Sequence, residues 1–315
     1  MPARAATPFD MRRVAALLES TLRAREGIVA SALPAPLAAG AVGGWRGLIG
    51  GLFGLGGRLR VYLEEYRGQL RSTALVYDGR RPEWVVLVLA ALPEPGGTDS
   101  AFRLLSGISA SAARNGMQRL FAAVPDEVRP RETWYAAART ALAAPSARMG
   151  AREATSVDAH DLFRFYLMTT PHAVQRAEQL SVKDFDIGRR GGAYDPPHLI
   201  GGNPLAMNRR LALIDRDQTK PCAVALAFAG LDRHPNVLKV RTDAGDVDMA
   251  RDLVRAAVRA LPPGRLNTAP VRSYEEHVAR ALLAEGFREA ATAMLFVKEL
   301  AVRVEEPALA PAVVR

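Results

Sequence analysis

The stretch ALLAEGFREAATAMLFVKEL, residues 281–300, decides more about the fold than any other part of this sequence. Just before it, Ser273 and Glu276 form a capping-box pattern, which predicts the start of a helix. Gly286 supplies the stop signal of that helix, and the apolar residues from Ala291 to Val297 predict a strand. The chain is therefore predicted to close with a helix, a glycine stop and a final strand.

The same plan occurs twice along the chain: a hairpin of two hydrophobic strands, a third strand, a short loop, an amphipathic helix and another strand. The hairpins begin near Leu59 and Leu211 and the helices near Thr98 and Val247, so the copies are offset by roughly 150 residues, about one domain length. We therefore predict two related domains, residues 1–146 and 147–304, followed by a flexible tail at 305–315.

Each domain is predicted to be of the α/β class, with a mixed, mostly antiparallel central sheet flanked by helices. Trp84 to Leu92 is an unbroken apolar run, as expected of a central strand that is covered on both faces. Val237 to Arg241 is the corresponding strand of the second copy. The segment from Arg131 to Ala144 fits a strand and a helix equally well, so its interpretation stays open.

The charge of the chain is strongly positive but spread out. It contains 42 Lys plus Arg against 33 Asp plus Glu, a net charge of +9, and only four of the basic residues are Lys. Basic and acidic residues alternate along most predicted helices, and no five basic residues stand in a row. A GC-rich genome also favours Arg over Lys. Nucleic acid is therefore an unlikely partner on this pattern.

The cysteine and histidine content indicates neither a disulfide framework nor a metal site. Cys222 is the single cysteine, and the five histidines never approach the spacing of metal ligands, so we expect each histidine at the surface or at a helix cap. A reducing cytoplasm is the expected setting, and no signal sequence is expected at the start of the chain.

One segment, Leu33 to Gly57, is apolar enough to suggest a membrane span. Arg46 lies near its middle, where an unpaired cation costs about 2.5–3.5 kcal/mol, and Pro34 and Pro36 interrupt it. We therefore expect no membrane span here, and predict either a pair of helices with a close-packed connection or a lid over a pocket.

The order of elements resembles the GNAT superfamily of acetyltransferases in both halves of the chain. The most specific piece is the closing helix with Gly286-Phe287 and the last strand, Met294 to Leu300. The matching pieces of the first half are Val85 to Leu92, Ala101 to Leu105, Ala112 to Gly116 and Arg119 to Val124. Tandem copies occur in this superfamily, so the resemblance implies two GNAT-like domains.

The resemblance implies acyl transfer from acetyl-CoA to an amine, with the pyrophosphate of acetyl-CoA bound at the N-terminus of the helix that follows the central strand. In the first copy, the implied cofactor-binding residues are Leu89, Ala90, Ala91, Leu92, Gly96, Gly97 and Thr98. Both copies depart from the loop of the family. The first reads Glu94-Pro-Gly-Gly-Thr98, and the second carries Asp243 and Asp246, whose charge would repel a pyrophosphate.

The catalytic residues implied by the resemblance are also incomplete. The family uses a carboxylate on a central strand to deprotonate the amine, and a Tyr four residues before the closing Gly-Phe to protonate the thiolate. In the second copy that position is Leu282, which has no proton to give. In the first copy, the candidates are Glu83, at the start of the central strand, and Tyr135, the nearest aromatic hydroxyl.

Three functions therefore stay open on the sequence. The first is an acetyl-CoA-dependent N-acyltransferase that acts on a small amine or on a protein N-terminus or Lys. The second is a catalytically inactive scaffold, or a protein that binds a ligand or partner, built from two GNAT-like folds. The third is a protein that binds an anion or nucleic acid through its positive charge. The two domains are expected to pack like the protomers of a dimer, and an oligomer is also possible.

Overall fold

A computed structural model describes residues 3–24, 28–31, 59–78, 82–92, 97–125, 132–138, 151–187, 207–217, 220–230, 235–243 and 245–300. We call residues 3–138 the N-terminal half and residues 151–300 the C-terminal half. The predicted domain boundary near residue 146, the apolar segment 33–57 and the tail 305–315 lie outside the described residues. The two domain ranges therefore stay a prediction.

The elements of the two halves follow the same order. The N-terminal half contains β1 (Arg4–Ala5), a 3₁₀ turn (Pro8–Asp10), α1 (Met11–Ala24), β2 (Ile28–Ser31), β3 (Leu59–Tyr66), β4 (Gln69–Asp78), β5 (Glu83–Ala91), α2 (Gly97–Arg114), β6 (Arg119–Pro125) and β7 (Glu132–Ala138). The C-terminal half contains β8 (Arg152–Glu153), a 3₁₀ turn (Ser156–Asp158), α3 (Ala159–Thr169), α4 (His172–Glu178), a second 3₁₀ turn (Val182–Phe185), β9 (Met207–Asp217), β10 (Lys220–Gly230), β11 (Asn236–Thr242), α5 (Val247–Arg259), β12 (Leu266–Arg272), α6 (Glu276–Ala284) and β13 (Arg288–Glu299).

Within the described residues, the strands of both halves form one continuous sheet. Its order is β1-β3-β4-β5-β6-β13-β7-β12-β11-β10-β9-β8, with β2 attached to β5. The pairs β5–β6 and β11–β12 are parallel, and the other pairs are antiparallel. The predicted fold class, mixed α/β with a mostly antiparallel sheet flanked by helices, is confirmed.

The strand order is symmetric about the centre of the sheet, and at that centre each half contributes one strand to the other half. β13, the last strand of the chain, pairs with β6 of the N-terminal half, while β7 pairs with β12 of the C-terminal half. β13 and β7 then pair with each other at the centre of the sheet. Each half therefore depends on a strand from the other half to complete its hydrogen bonding.

The same seven-residue motif lies at the start of each half. Arg4 and Asp10 of the first half recur 148 residues later as Arg152 and Asp158, within the shared pattern Arg-x-Ala-Thr-x-x-Asp. In both copies the arginine forms two hydrogen bonds with the aspartate, which also accepts one from the backbone N–H of the threonine. This repeat supports a duplication, and it was missed in the sequence because it is short.

Helices cover both faces of the sheet in each half. Their apolar residues recur every three or four positions, as in α2, which buries Ala101, Leu104, Ile108 and Ala112 against the sheet. α1 covers the opposite face of the N-terminal half. In the C-terminal half, α3 covers one face and α5 with α6 the other. Gly116 and Gly286, both with positive φ, end α2 and α6 as the sequence predicts.

Two local predictions were wrong. The N-cap of α6 is Glu275 and makes no side-chain cap bond, because its carboxylate accepts hydrogen bonds from the Arg241 side chain and the Arg272 backbone instead. Ser273 is exposed and forms no capping box. His277, expected at the surface or at a helix cap, is buried in the first turn of α6, whose cap is Glu275.

Candidate functional site

The central strand of each half separates from its parallel neighbour partway along its length. β5 pairs with β6 from Glu83 to Val86, although β5 continues to Ala91. The register between β4 and β5 shifts after Val86, which leaves Leu87 as a bulge where the separation begins. In the C-terminal half, β11 pairs with β12 only at Asn236 and Val237 within the described residues. Such gaps expose backbone groups of the central strand to a ligand.

In the N-terminal half, strand β2 lies in this gap. Its residues Ile28, Ala30 and Ser31 pair with Ala90, Leu89 and Val88 of β5. The backbone stretch to which the sequence analysis assigns acetyl-CoA is thus hydrogen-bonded to the chain itself. The four-residue strand carries no pattern of its own long enough to predict it.

The predicted cofactor-binding residues of the first copy lie in line along β5 and the start of α2. Leu89, Ala90 and Ala91 are buried in the sheet, and the Leu92 amide donates to the Arg71 carbonyl at 2.9 Å. Gly97 and Thr98 open α2, and Gly96 lies outside the described residues. Their role in cofactor binding stays a prediction.

The two predicted catalytic residues lie in different parts of the sheet. Glu83 lies at the other end of β5 from Ala91, about 25 Å along a nine-residue strand, and forms an ion pair with Arg119 at 3.4 Å. Tyr135 lies in the core of the C-terminal half, where burial raises its pKa to about 12. The structure therefore does not bring Glu83 and Tyr135 together.

The helix after the central strand of the C-terminal half has an acidic N-terminus. The Asp246 side chain accepts a hydrogen bond from the Met249 amide, and Asp248 follows in the first turn. The carboxylates that the sequence places here thus already compensate the helix dipole. This end of the gap does not favour a pyrophosphate.

A cluster of ionisable side chains marks the same half. Residues that alternate along β11 place Lys239 and Arg241 on the face covered by α3, and neighbouring strands add Arg272 and Glu132. Glu178 approaches from the end of α4. These residues come from four separate segments of the chain, so the cluster could not be assembled from sequence spacing.

Glu132 and Lys239 are the most perturbed groups of the cluster. Glu132 is 1% exposed, and its carboxylate accepts hydrogen bonds from Arg272 and from the Trp134 indole, both at 3.0 Å. Burial raises the pKa of Glu132 to about 7 and lowers that of Lys239 to about 8. Perturbed pairs of this kind cluster at functional sites.

Two tyrosines, Tyr166 and Tyr274, also belong to the cluster. The Tyr166 hydroxyl donates to Glu178 at 2.6 Å, and burial raises the pKa of Tyr166 well above its ordinary range. Burial also raises the pKa of Tyr274. Arg241 connects these groups, since it donates to Glu275 at 3.0 Å and contacts the ring face of Tyr166.

A pocket of about 420 Å³ opens beside this cluster. Its polar wall consists of Glu178, Arg272, Ser273 and Tyr274. The remaining lining is apolar, with contributions from α4 and from strands β6 and β13: Phe121, Pro171, Ala173, Val174, Ala177, Leu295, Phe296 and Val297. Phe121 of β6 belongs to the N-terminal half, and the other lining residues belong to the C-terminal half, so both halves of the chain build the pocket.

Two other features are absent from the described residues. No helix among them is both long enough and apolar enough to cross a membrane. Likewise, no three of their His, Cys, Asp or Glu side chains are grouped so that they could hold a metal ion.

Comparison with known proteins identifies the fold. No family model and no curated protein matches this chain. Among solved structures, it is similar to a GCN5-related N-acetyltransferase from Sphaerobacter thermophilus, at 13% identity over 94% of this chain and 95% of that protein, with a TM-score of 0.50. It is also similar to a tandem GNAT protein from the clavulanic acid biosynthesis pathway, at 11% identity over 94% and 98% of the two chains, with a TM-score of 0.52. The resemblance to a tandem GNAT fold is thereby confirmed.

Proposed function

We propose that this tandem GNAT-fold protein is an N-acyltransferase whose working site lies in the C-terminal half. The observation that carries the proposal is the pocket of about 420 Å³, which brings a carboxylate, Glu178, and a tyrosine hydroxyl, Tyr274, to one wall beside the separated strands. A volume of this size suits a small molecule, so we propose a small amine as acceptor rather than a protein chain.

Acetyl-CoA is the proposed donor, and it would supply the acetyl group. Its pantetheine arm fits the C-terminal gap, since Leu238 to Thr242 of β11 extend past the last described pair with β12. The N-terminus of α5 is a poor site for its pyrophosphate, because the Asp246 carboxylate already accepts a hydrogen bond from an amide there. We therefore expect weak acetyl-CoA binding in this half, held mainly through the strand.

Two residues of the pocket wall have the proposed catalytic roles. The Glu178 carboxylate would hold the acceptor ammonium and take its first proton. The Tyr274 hydroxyl, kept protonated by its raised pKa, would give a proton to the leaving sulfur and take the second proton of the nitrogen in return. Tyr274 would thus replace the tyrosine that is absent at Leu282.

The N-terminal half would then serve as a scaffold. Its own gap contains β2, and its contribution to the site is Phe121 of β6, which lies beside the exchanged strand β13 of the C-terminal half. One GNAT-like unit would thus complete the acceptor pocket of the other.

A catalytically inactive binding protein is the second candidate. Two observations favour it. In the first copy, β2 pairs with the central strand, and in the second copy, the Asp246 carboxylate accepts a hydrogen bond from the Met249 amide at the N-terminus of α5. Both features oppose acetyl-CoA, although neither obstructs the pocket itself.

Calorimetric titration with acetyl-CoA, and in parallel with free CoA, separates the two candidates. Saturable heat with acetyl-CoA followed by thiol release in the presence of amines would support the acyltransferase. Tyr274→Phe should then lower kcat about a hundredfold without loss of acceptor binding, while Tyr66→Phe, on the exposed turn of β3, serves as control. Absence of heat at high acetyl-CoA concentration would favour the inactive binder.

A further inference from the structure

Two opposite charges stand side by side at the pocket wall. Nη2 of Arg272 lies 3.7 Å from Oε1 of Glu178, which is longer than a hydrogen bond. Each group is oriented by another partner, since Nε of Arg272 binds Glu132 at 3.0 Å and the Tyr166 hydroxyl donates to Oε2 of Glu178. The wall thus presents a cation and an anion in fixed positions.

The charges around the pocket are balanced. The carboxylates Glu132, Glu178 and Glu275 face the cations Lys239, Arg241 and Arg272. A ligand with a net charge would leave one charge uncompensated in a poorly solvated site, which is costly. A ligand that carries one positive and one negative group keeps the balance.

The rest of the pocket lining is apolar. It includes Phe121 of β6, Leu295 and Val297 of β13, and Val174 and Pro171 of the α4 segment. This part of the lining contains no polar side chain that could pair with further polar groups of a ligand. The remainder of the ligand is therefore expected to be hydrocarbon, and the volume of about 420 Å³ has room for an aromatic or branched side chain.

We propose that the acceptor is an apolar α-amino acid bound as a zwitterion. Its carboxylate binds the Arg272 guanidinium, its ammonium binds the Glu178 carboxylate, and its side chain packs on the wall of Phe121, Leu295 and Val297. The proposal rests on the proposed function in that it takes this pocket to be the acceptor site. Arg suits the role, because its planar N–H groups match a carboxylate.

The test measures binding of amino acids to the full-length protein without acetyl-CoA, by calorimetry at pH 7.5. L-phenylalanine and L-leucine should bind saturably. Phenethylamine, which lacks the carboxylate, and N-acetyl-L-phenylalanine, which lacks the ammonium, should each bind at least tenfold more weakly, and L-alanine should also bind more weakly. Equal binding of phenethylamine and L-phenylalanine, or no binding of any amino acid, would overturn the proposal.

Variants of the protein locate the binding site. Val174→Trp should fill the pocket and abolish L-phenylalanine binding, whereas Arg259→Gln, at an exposed position of α5, should leave it unchanged. Arg272→Gln should weaken L-phenylalanine binding more than phenethylamine binding. Should Arg272→Gln fail to fold, the ligand series and Val174→Trp still decide the matter. Unchanged affinity in Val174→Trp would place the ligand elsewhere.

The proposed function and this inference can fail separately. Amino acid binding with no thiol release in the presence of acetyl-CoA would contradict the acyltransferase and leave the acceptor pocket in place. Thiol release with other amines but no amino acid binding would contradict the inference alone.

Discussion

Replacing Glu132 by Gln should change the stability of the protein in a way that depends on pH. Burial, only partly offset by Arg272 and Lys239, raises the pKa of Glu132 from its ordinary value of 4.5 to about 7. Between these two values the folded protein binds more protons than the unfolded chain, so the free energy of unfolding falls as pH rises. The contribution of Glu132 is complete below pH 4.5 and is lost as pH rises through about 7.

The size of the effect follows from the same shift. At about 1.4 kcal/mol per pKa unit, the rise of the Glu132 pKa from 4.5 to about 7 corresponds to at most about 3–4 kcal/mol. Gln cannot titrate, so wild type should lose up to that amount relative to Glu132→Gln between pH 4.5 and pH 8. Removal of the carboxylate also lowers the pKa of Lys239 further, which acts in the same direction.

Urea unfolding at pH 5 and at pH 7.5, followed by tryptophan fluorescence, measures the effect. Trp134 donates its indole N–H to Glu132 and reports on this part of the core. Glu153→Gln, at an exposed position of β8, is the matched control and should shift both stabilities alike. If the difference between wild type and Glu132→Gln stayed constant or grew with pH, attraction to Arg272 would outweigh the cost of burial, and the reasoning would be wrong.

The remaining predictions concern stability. Asp10→Asn and Asp158→Asn should each lower the free energy of unfolding at pH 7 by about 2–3 kcal/mol, because each carboxylate binds an arginine and a backbone N–H. Urea unfolding measures both losses, and a loss in only one variant would contradict the equivalence of the two motifs. Arg4 holds the pKa of Asp10 well below its usual range, so the contribution of Asp10 should decline progressively as pH falls below about 4. Ile108 of α2 is fully buried, so Ile108→Ala should lower the free energy of unfolding by about 2–4 kcal/mol in thermal unfolding. Phe102 of the same helix is 71% exposed, so Phe102→Ala should lower it by under about 0.5 kcal/mol. Equal losses would contradict the packing of α2.

The elements of the fold could be predicted because their signals are local. The sequence predicts a hairpin that begins near Leu59, and the structure has its strands at Leu59–Tyr66 and Gln69–Asp78, with positive φ at Arg67 and Gly68 in the turn. The pairing of these elements is not local. The exchange of β7 and β13 and the insertion of β2 depend on which strand edges meet, and no periodicity records that.

The candidate site was missed for a related reason. A single charged residue in an apolar strand, such as Lys239, gives a signal that a surface-facing position also gives. Only the fold shows that Lys239 and Arg241 lie on a face covered by α3, and that Glu132 and Arg272 reach them from strands distant in sequence. The resemblance also drew attention to the loop after the first central strand, whereas the polar wall of the pocket belongs to the other half.

The duplication itself argues that the cluster is functional. The face of β5 that corresponds to the charged face of β11 is apolar and packs Val85, Leu87 and Val88 against α1. On this face the N-terminal half thus has no charge at the middle of β5, and its buried ion pair, Glu83 with Arg119, lies at the start of that strand. Buried ion pairs contribute little net stability compared with apolar residues of similar size, so Lys239 and Arg241 are not explained by the needs of the fold. A site that must hold opposite charges for a ligand does explain them, and it explains why the corresponding positions of β5 are apolar.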